Sequence, residues 1–166
     1  LGLAGNIETA HIMNALRKGD AGAALSTLSE LYAAGKDVGA VLDELCSLTR
    51  DLLIRCTAPT GGAALLGGGY DDATMRTLAA GFTPQRLIQM LTLLQTTLAD
   101  LPRAANRRIA AELCLIRLAD ERLDPSPEGL SARIAKLEAA VASGVPAPVQ
   151  PTQPAAPAAA VPADTP

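Results

Sequence analysis

The sequence has few of the residues on which catalytic and metal sites usually depend. It contains one histidine, His11, three aromatic residues and no tryptophan. A single histidine leaves the serine and cysteine side chains without the second candidate base that nucleophilic catalysis needs. The pattern Glu8-x-x-His11 is typical of one arm of a di-iron site in a helix bundle, but a complete site needs a second such arm. We therefore expect no catalytic, metal-binding or cofactor-binding residue in this chain.

Basic residues, closely spaced cysteines and long apolar runs are also scarce. The net charge is −3 and the pI is about 5.1, whereas domains that bind a nucleic-acid backbone usually carry a basic excess. Cys46, Cys56 and Cys114 are odd in number and widely spaced, which argues against disulfides or zinc and indicates buried thiols in a reducing cytoplasm. No run reaches the ~18 apolar residues of a membrane span. We therefore expect a cytoplasmic protein with neither direct DNA contact nor a membrane partner.

Aliphatic residues at helical spacing make up most of what is present. Hydrophobic residues account for 49% of the chain, and they repeat at three- and four-residue steps between glycine, proline and capping signals. This pattern predicts an all-α fold, a compact bundle of about five to seven helices. The predicted helices cover approximately residues 6–18, 21–34, 38–55, 71–80, 84–100, 103–122 and 127–142.

The apolar faces of these helices indicate how they pack. The fifth helix carries a leucine seam, broadened by Ile88, Met90 and Leu93, and the sixth is apolar on nearly every side, as is typical of a central helix. On the second helix, Tyr32 continues the apolar stripe. We expect four apolar residues of the seventh helix to face inward. The seam is formed by Leu87, Leu91, Leu94, Leu98 and Leu101, and the four inward residues are Leu130, Ile134, Leu137 and Val141.

Two segments lack a helical pattern. The stretch from Thr57 to Gly69 holds five glycines and one proline, and we expect an exposed, mobile loop without a function of its own. It is not a phosphate-binding loop, because no Lys-Ser or Lys-Thr follows and no strand precedes it. The last 22 residues contain seven prolines and seven alanines. Because such a stretch cannot bury a core, residues 144–166 are predicted to be a disordered Pro/Ala-rich linker.

A short basic cluster opens the sixth apolar segment at Asn106-Arg107-Arg108. Two interpretations remain open. Arg108 can pair locally with Glu112 four residues later, or the arginines can bind carboxylates of another subunit, since arginine suits such contacts. Arg117 and Arg133 are weaker candidates for the same kind of contact. These six residues are the predicted interface set.

The order of these segments resembles domain III of the gamma/tau subunit of bacterial DNA polymerase III, the clamp loader. The resemblance is strongest over residues 91–118, where an apolar helix ends at Asp100-Leu101-Pro102 and the basic cluster precedes a second apolar helix. It covers roughly residues 1–138. Further segments that carry it are Gly19-Asp20-x4-Leu25-x2-Leu28, Leu31-Tyr32-Ala33-Ala34-Gly35-Lys36-Asp37 and Arg50-Asp51-Leu52-Leu53-Ile54.

This resemblance implies an oligomerisation domain, the collar, over residues 6–143, with the end of a preceding lid module at residues 1–5. In that family the collar domains of neighbouring subunits pack in a ring during ATP-dependent loading of the sliding clamp in DNA replication. The implied partners are other gamma/tau copies, delta and delta prime. ATP and magnesium would bind upstream modules of the parent. The nucleotidyltransferase activity would belong to the parent polymerase, so this fragment would not be an enzyme.

Two other functions can be considered from the residues alone. A generic helical-repeat scaffold for protein interactions is suggested by similar helix boundaries at residues 19–20 and 35–37, but no further unit follows at a fixed period. A small helical enzyme would need a polar cluster inside the core, and the sequence shows none.

Overall fold

The computed structural model describes residues 3–60, 62–67 and 69–144, without the side chains of residues 3–5, 63 and 64. This part of the chain contains seven α-helices, three 3₁₀ turns and no β-strand, which confirms the all-α prediction. Residues 145–166 of the predicted linker lie outside the described residues. The α-helices are α1 Leu3–Lys18, α2 Ala21–Ala33, α3 Val38–Thr57, α4 Asp72–Ala79, α5 Pro84–Asp100, α6 Arg107–Ala119 and α7 Pro127–Ala142. The 3₁₀ turns are Gly62–Leu65, Leu101–Arg103 and Glu121–Leu123.

Side-chain caps fix most of the helix starts. Each capping side chain accepts a hydrogen bond from the backbone N–H three residues later, an interaction that stabilises a helix by about 1 kcal/mol. Gly19 and Gly35, with φ of 72° and 85°, end α1 and α2 in the left-handed conformation that glycine favours. Apart from α6, the predicted helix boundaries therefore agree with the structure to within three residues. The caps are Asp20, Asp37, Asp71, Thr83, Asn106 and Ser126.

The predicted start and end of the sixth helix are wrong. The chain first makes the 3₁₀ turn Leu101–Arg103, and α6 begins only at Arg107, after Asn106 has accepted a hydrogen bond from the Ile109 N–H. At the other end, Asp120 accepts a hydrogen bond from the Arg122 N–H and starts a second 3₁₀ turn. Ala104 and Ala105 before α6 and Glu121 and Arg122 after it are good helix formers, so the residue types do not reveal that the helix is shorter.

α6 is enclosed on only part of its circumference, so the prediction of a central helix is met only in part: Ile109 and Leu113 are exposed. It contacts α1, α2, α3 and α5, while α3 packs along α5. Contacts between α1 and α6, which are distant in sequence, do not fit a repeat scaffold, in which each unit contacts only its neighbours. Fully buried aliphatic side chains fill the space between these helices. Among them are Ile12, Leu28, Leu42, Leu45, Leu48, Leu52, Leu94, Leu115 and Leu118.

The seam of α5 is confirmed at its centre but is narrower than predicted. Leu87, Leu94 and Leu101 are buried, as is Met90, whereas Leu91, Leu93 and Leu98 are half-buried. Ile88 is 51% exposed, so it does not broaden the packed surface. A similar error concerns Tyr32, which is 46% exposed and contacts the Arg108 guanidinium.

The predicted inward orientation of the apolar face of α7 is wrong. All four of its large apolar residues are exposed: Leu130, Ile134, Leu137 and Val141. α7 packs on α5 and the preceding 3₁₀ turn, and its least exposed residues are the small ones, Gly129, Ala132 and Ala140. The apolar spacing predicts correctly which residues form the apolar face of α7. The expectation that this face packs against the core of the same domain is wrong.

The glycine-rich loop is attached to the bundle at several points, contrary to expectation. The buried carboxylate of Asp51 accepts a hydrogen bond from the Gly67 N–H at 2.9 Å, and the Asn6 side chain donates to the Gly69 carbonyl at 2.8 Å. Gly62 is buried so close to Ile54 that an added Cβ would lie 3.0 Å from its side chain. The loop thus folds back over α3 and α1.

Candidate interaction surfaces

Neither a metal site nor a membrane segment is found in the described part of the chain. No group of three or more His, Cys, Asp or Glu side chains there could hold a metal ion, and no described helix has the length and apolar character to cross a membrane. His11 is exposed and lines an open groove of about 580 Å³ between α1 and α4.

Only one of the three cysteines is buried as predicted. Burial raises the pKa of the Cys114 thiol to about 11, so this thiol stays protonated and unreactive. Cys46 and Cys56 are half-buried and free. Burial, together with the nearby Asp43 carboxylate, also raises the pKa of Cys46.

Arg107 ties the start of α6 to the start of α3. Its Nη1 lies 3.2 Å from Oδ2 of Asp37 and its Nη2 lies 3.3 Å from Oδ1, a bidentate arrangement. The same Asp37 carboxylate accepts the Ala40 N–H at 3.1 Å as the cap of α3. A Cβ on Gly39 would lie 2.9 Å from Arg107 Nη2, so the glycine leaves room for the guanidinium.

Arg108 bridges α6 and α2. Its Nε lies 2.8 Å from Oε1 of Glu112, so the predicted local ion pair is present. The guanidinium also sits 4.8 Å from the centroid of the Tyr32 ring, within the range of a cation–π contact, and donates to the Ser29 hydroxyl at 3.4 Å. These contacts offset the unfavourable position of a cation at a helix N-terminus. A contact of these residues with another subunit stays a prediction.

The remaining two predicted interface residues lie elsewhere. Arg117 is half-buried and lines a groove of about 180 Å³ between α5 and α6, together with Leu93 and Leu113. Arg133 is exposed on α7. Hydrogen bonds from Arg122 lower the pKa of Asp120 to about 2, with a smaller Coulombic contribution from Arg133. The structure therefore places the six residues in three separate locations rather than in one continuous patch.

A buried polar cluster joins α5, α6 and α7, so the expectation that the core contains no polar cluster is wrong. The Gln89 amide donates to Oδ2 of Asp124 at 2.8 Å, and Asp124 also accepts the Ser126 N–H at 3.1 Å and the Ser126 hydroxyl at 2.9 Å. Arg86 donates to Gln89, to the Leu118 carbonyl and to Glu121. In the sequence, the polar residue Gln89 within the apolar pattern of α5 is the feature that could have indicated this cluster.

The polar groups of this cluster bond to one another and to the backbone around them. None of the buried side-chain N and O atoms in the described residues lacks a hydrogen-bond partner. Burial tends to raise the pKa of Asp124, but the hydrogen bonds from Gln89 and Ser126 outweigh it and leave the pKa below its usual value. Burial lowers the pKa of Arg86, an effect that Glu121 and Asp124 partly oppose. The cluster accordingly fixes the chain between α6 and α7 against α5.

A protein-family model described as DNA polymerase III subunits gamma and tau domain III matches residues 1–134. The chain belongs to this family. The resemblance inferred from the helix order is thus confirmed, and it makes the chain a domain of a clamp-loader subunit. Comparison with curated protein sequences gives no match. The matched region ends inside α7.

Two exposed apolar surfaces of this gamma/tau domain III are suited to protein contact. On α6, Ile109 and Leu113 lie one turn apart and are 59% and 45% exposed, and we call them the α6 face. The α7 stripe comprises Leu130, Ile134, Leu137 and Val141. Scattered apolar residues on a surface are ordinary, but clusters of several large ones mark interaction sites.

Proposed function

We propose that this gamma/tau domain III is an oligomerisation domain, a collar, that holds clamp-loader subunits together. The observation that carries the proposal is the exposed α6 face, on a helix that packs against four others. Its proposed partners are other gamma/tau copies, delta and delta prime, in the cytoplasm. ATP-dependent clamp loading in DNA replication would then be carried out by modules of the parent that bind ATP and magnesium, and this domain would act without catalysis.

The surroundings of the α6 face suit a contact between subunits. Its helix is held at its start by the Arg107–Asp37 and Arg108–Tyr32 contacts, so little ordering is needed on binding. Arg117, four residues after Leu113, can add a charge-assisted hydrogen bond to a carboxylate of a neighbour. Covering one half-exposed side chain of this size contributes about 1 kcal/mol.

Assembly can be measured by light scattering on mixtures of the parent subunit with its sibling subunits. We expect Leu113→Asp to weaken the hetero-complex at least roughly tenfold, because it places a carboxylate in an apolar contact. Ala23→Asp is the matched control, since Ala23 is also exposed but lies on α2.

Circular dichroism of both variants verifies that the fold is kept. A folded Leu113→Asp variant that assembles as well as Ala23→Asp would remove the α6 face from the proposal. Failure of the wild-type domain to compete with the parent subunit for its siblings would contradict the collar role itself.

A further inference from the structure

The α7 stripe is a helix face without a partner among the described residues. Its members are 47%, 56%, 50% and 65% exposed at Leu130, Ile134, Leu137 and Val141. The helix turns its small residues toward α5 and its large apolar residues away from the domain. A helix that only covered its own core would be oriented the other way round, because burying large aliphatic side chains stabilises a domain most.

The spacing and residue types of the stripe are those of a two-stranded coiled coil. Steps of four, three and four residues separate its members, which is a heptad pattern. Ile134 and Val141 then occupy the a positions, and Leu130 and Leu137 occupy the d positions. β-branched residues at a combined with leucine at d favour parallel pairs of helices over larger bundles.

The charges that flank the stripe select the partner. In this register Arg133 is a g residue and Glu138 is the e residue of the next heptad, and both are exposed. In a parallel pair of identical helices, g of one helix lies beside that e of the other, so Arg133 meets Glu138 twice. An antiparallel pair that buries the whole stripe would place Arg133 beside Ala140 and Glu138 beside Ser131, so neither charge would gain a partner of opposite sign. We propose that α7 pairs in parallel with α7 of a second copy of this chain.

Such a pair differs in kind from a ring contact. Two parallel copies of one helix are related by a two-fold axis and use the same surface twice, whereas a ring is built from head-to-tail contacts between different surfaces. The inference therefore stands independently of the proposed collar role, and it would link two gamma/tau chains side by side. The matched family region ends at residue 134, so half of the stripe lies beyond it.

Sedimentation equilibrium on the 166-residue chain tests the pairing. The stripe spans only two heptads, so we expect a weak dimer with a Kd on the order of 100 µM. The average mass should rise from 16.9 kDa toward twice that value between about 10 µM and 1 mM. A wild-type chain that stays monomeric at about 1 mM would overturn the proposal.

A matched pair of variants locates the contact. Ile134→Asp should raise the Kd at least about thirtyfold, because the new carboxylate would be buried at an a position. Ala139→Asp is the control, since Ala139 is also exposed but lies outside the stripe, and its Kd should stay within about threefold of wild type. Circular dichroism confirms that both variants fold. Dimerisation of Ile134→Asp with wild-type affinity would place the contact elsewhere and refute the proposal.

Charge reversal tests the orientation. Arg133→Glu and Glu138→Arg should each weaken dimerisation by roughly three- to thirtyfold, because each brings like charges together twice. The double variant restores both pairs and should return to within about threefold of wild type. An antiparallel pair would respond equally little to all three variants, and that result would contradict the parallel arrangement. Sibling-subunit assembly of Ile134→Asp and Glu138→Arg, which change residues outside the predicted interface set, should be unchanged when measured separately, and this separates the test from that of the collar.

Discussion

Gly129→Ala and Gly22→Ala are the same substitution in the first turn of two helices, and we expect opposite effects on the free energy of unfolding. Gly129 lies in α7 and is buried, whereas Gly22 lies in α2 and is exposed. Alanine is the better helix former by about 0.5–1 kcal/mol. Any difference between the two variants therefore reports what the added methyl group meets.

At Gly129 the methyl group meets the polar cluster. The new Cβ would lie 2.7 Å from Oδ2 and 2.8 Å from the backbone carbonyl of Asp124. Overpacking of this kind costs about 1–3 kcal/mol, and moving the carboxylate away from Gln89 would leave a buried amide without its acceptor, which costs a further ~1–3 kcal/mol. After subtraction of the gain in helix propensity, we expect a net destabilisation of about 1–5 kcal/mol.

At Gly22 the nearest atom to the added Cβ is Asp20 Oδ1 at 3.4 Å, an ordinary contact. The propensity gain should then appear as a stabilisation of about 0.4–1 kcal/mol. Urea denaturation followed by circular dichroism measures both free energies. If Gly129→Ala were as stable as the wild type while Gly22→Ala gained the expected amount, the close packing of α7 against Asp124 would be refuted.

Three further variants test the core, the basic cluster and the polar cluster. Leu94→Asp should unfold the domain, because it buries an unpaired charge in the α5 seam; a cooperative melt at the wild-type temperature would contradict this. Arg107→Glu should lower the free energy of unfolding, measured by urea denaturation, by less than about 1 kcal/mol, because its pair with Asp37 is half-exposed. The same variant should weaken hetero-assembly by a larger free energy than this. A loss of stability without a loss of assembly would favour a purely local role. The pKa of Asp124 is lowered, so its stabilisation is complete above about pH 4 and is lost as pH falls through the folded pKa. The stability difference between wild type and Asp124→Asn should therefore shrink in acid, and a constant difference from neutral pH to about pH 2 would argue against this linkage.

Local signals in the sequence were enough to predict most of the fold. Capping residues such as Asp37 and Ser126 and terminal glycines such as Gly19 act on the backbone within a few residues, so they can be read directly. The predicted start of α6 is too early because Ala104 and Ala105 are good helix formers, whereas the cap that starts the helix is Asn106.

Contacts between distant residues could not be read in this way. Three such contacts join separate elements: the Asp51–Gly67 hydrogen bond, the Arg108–Tyr32 cation–π contact and the Gln89–Asp124 hydrogen bond. The orientation of α7 was missed for the same reason. Amphipathic spacing shows that a helix has an apolar side, but which molecule covers that side depends on tertiary and quaternary packing.

The carboxylate of Asp37 serves two helices at once. It caps α3 through the Ala40 N–H and holds Arg107 at the first residue of α6. Fraying of either helix end therefore removes a partner from the other, and amide protons in the two first turns should exchange with solvent together rather than one after the other. One acidic side chain thereby synchronises the opening of two segments that lie 70 residues apart in the chain.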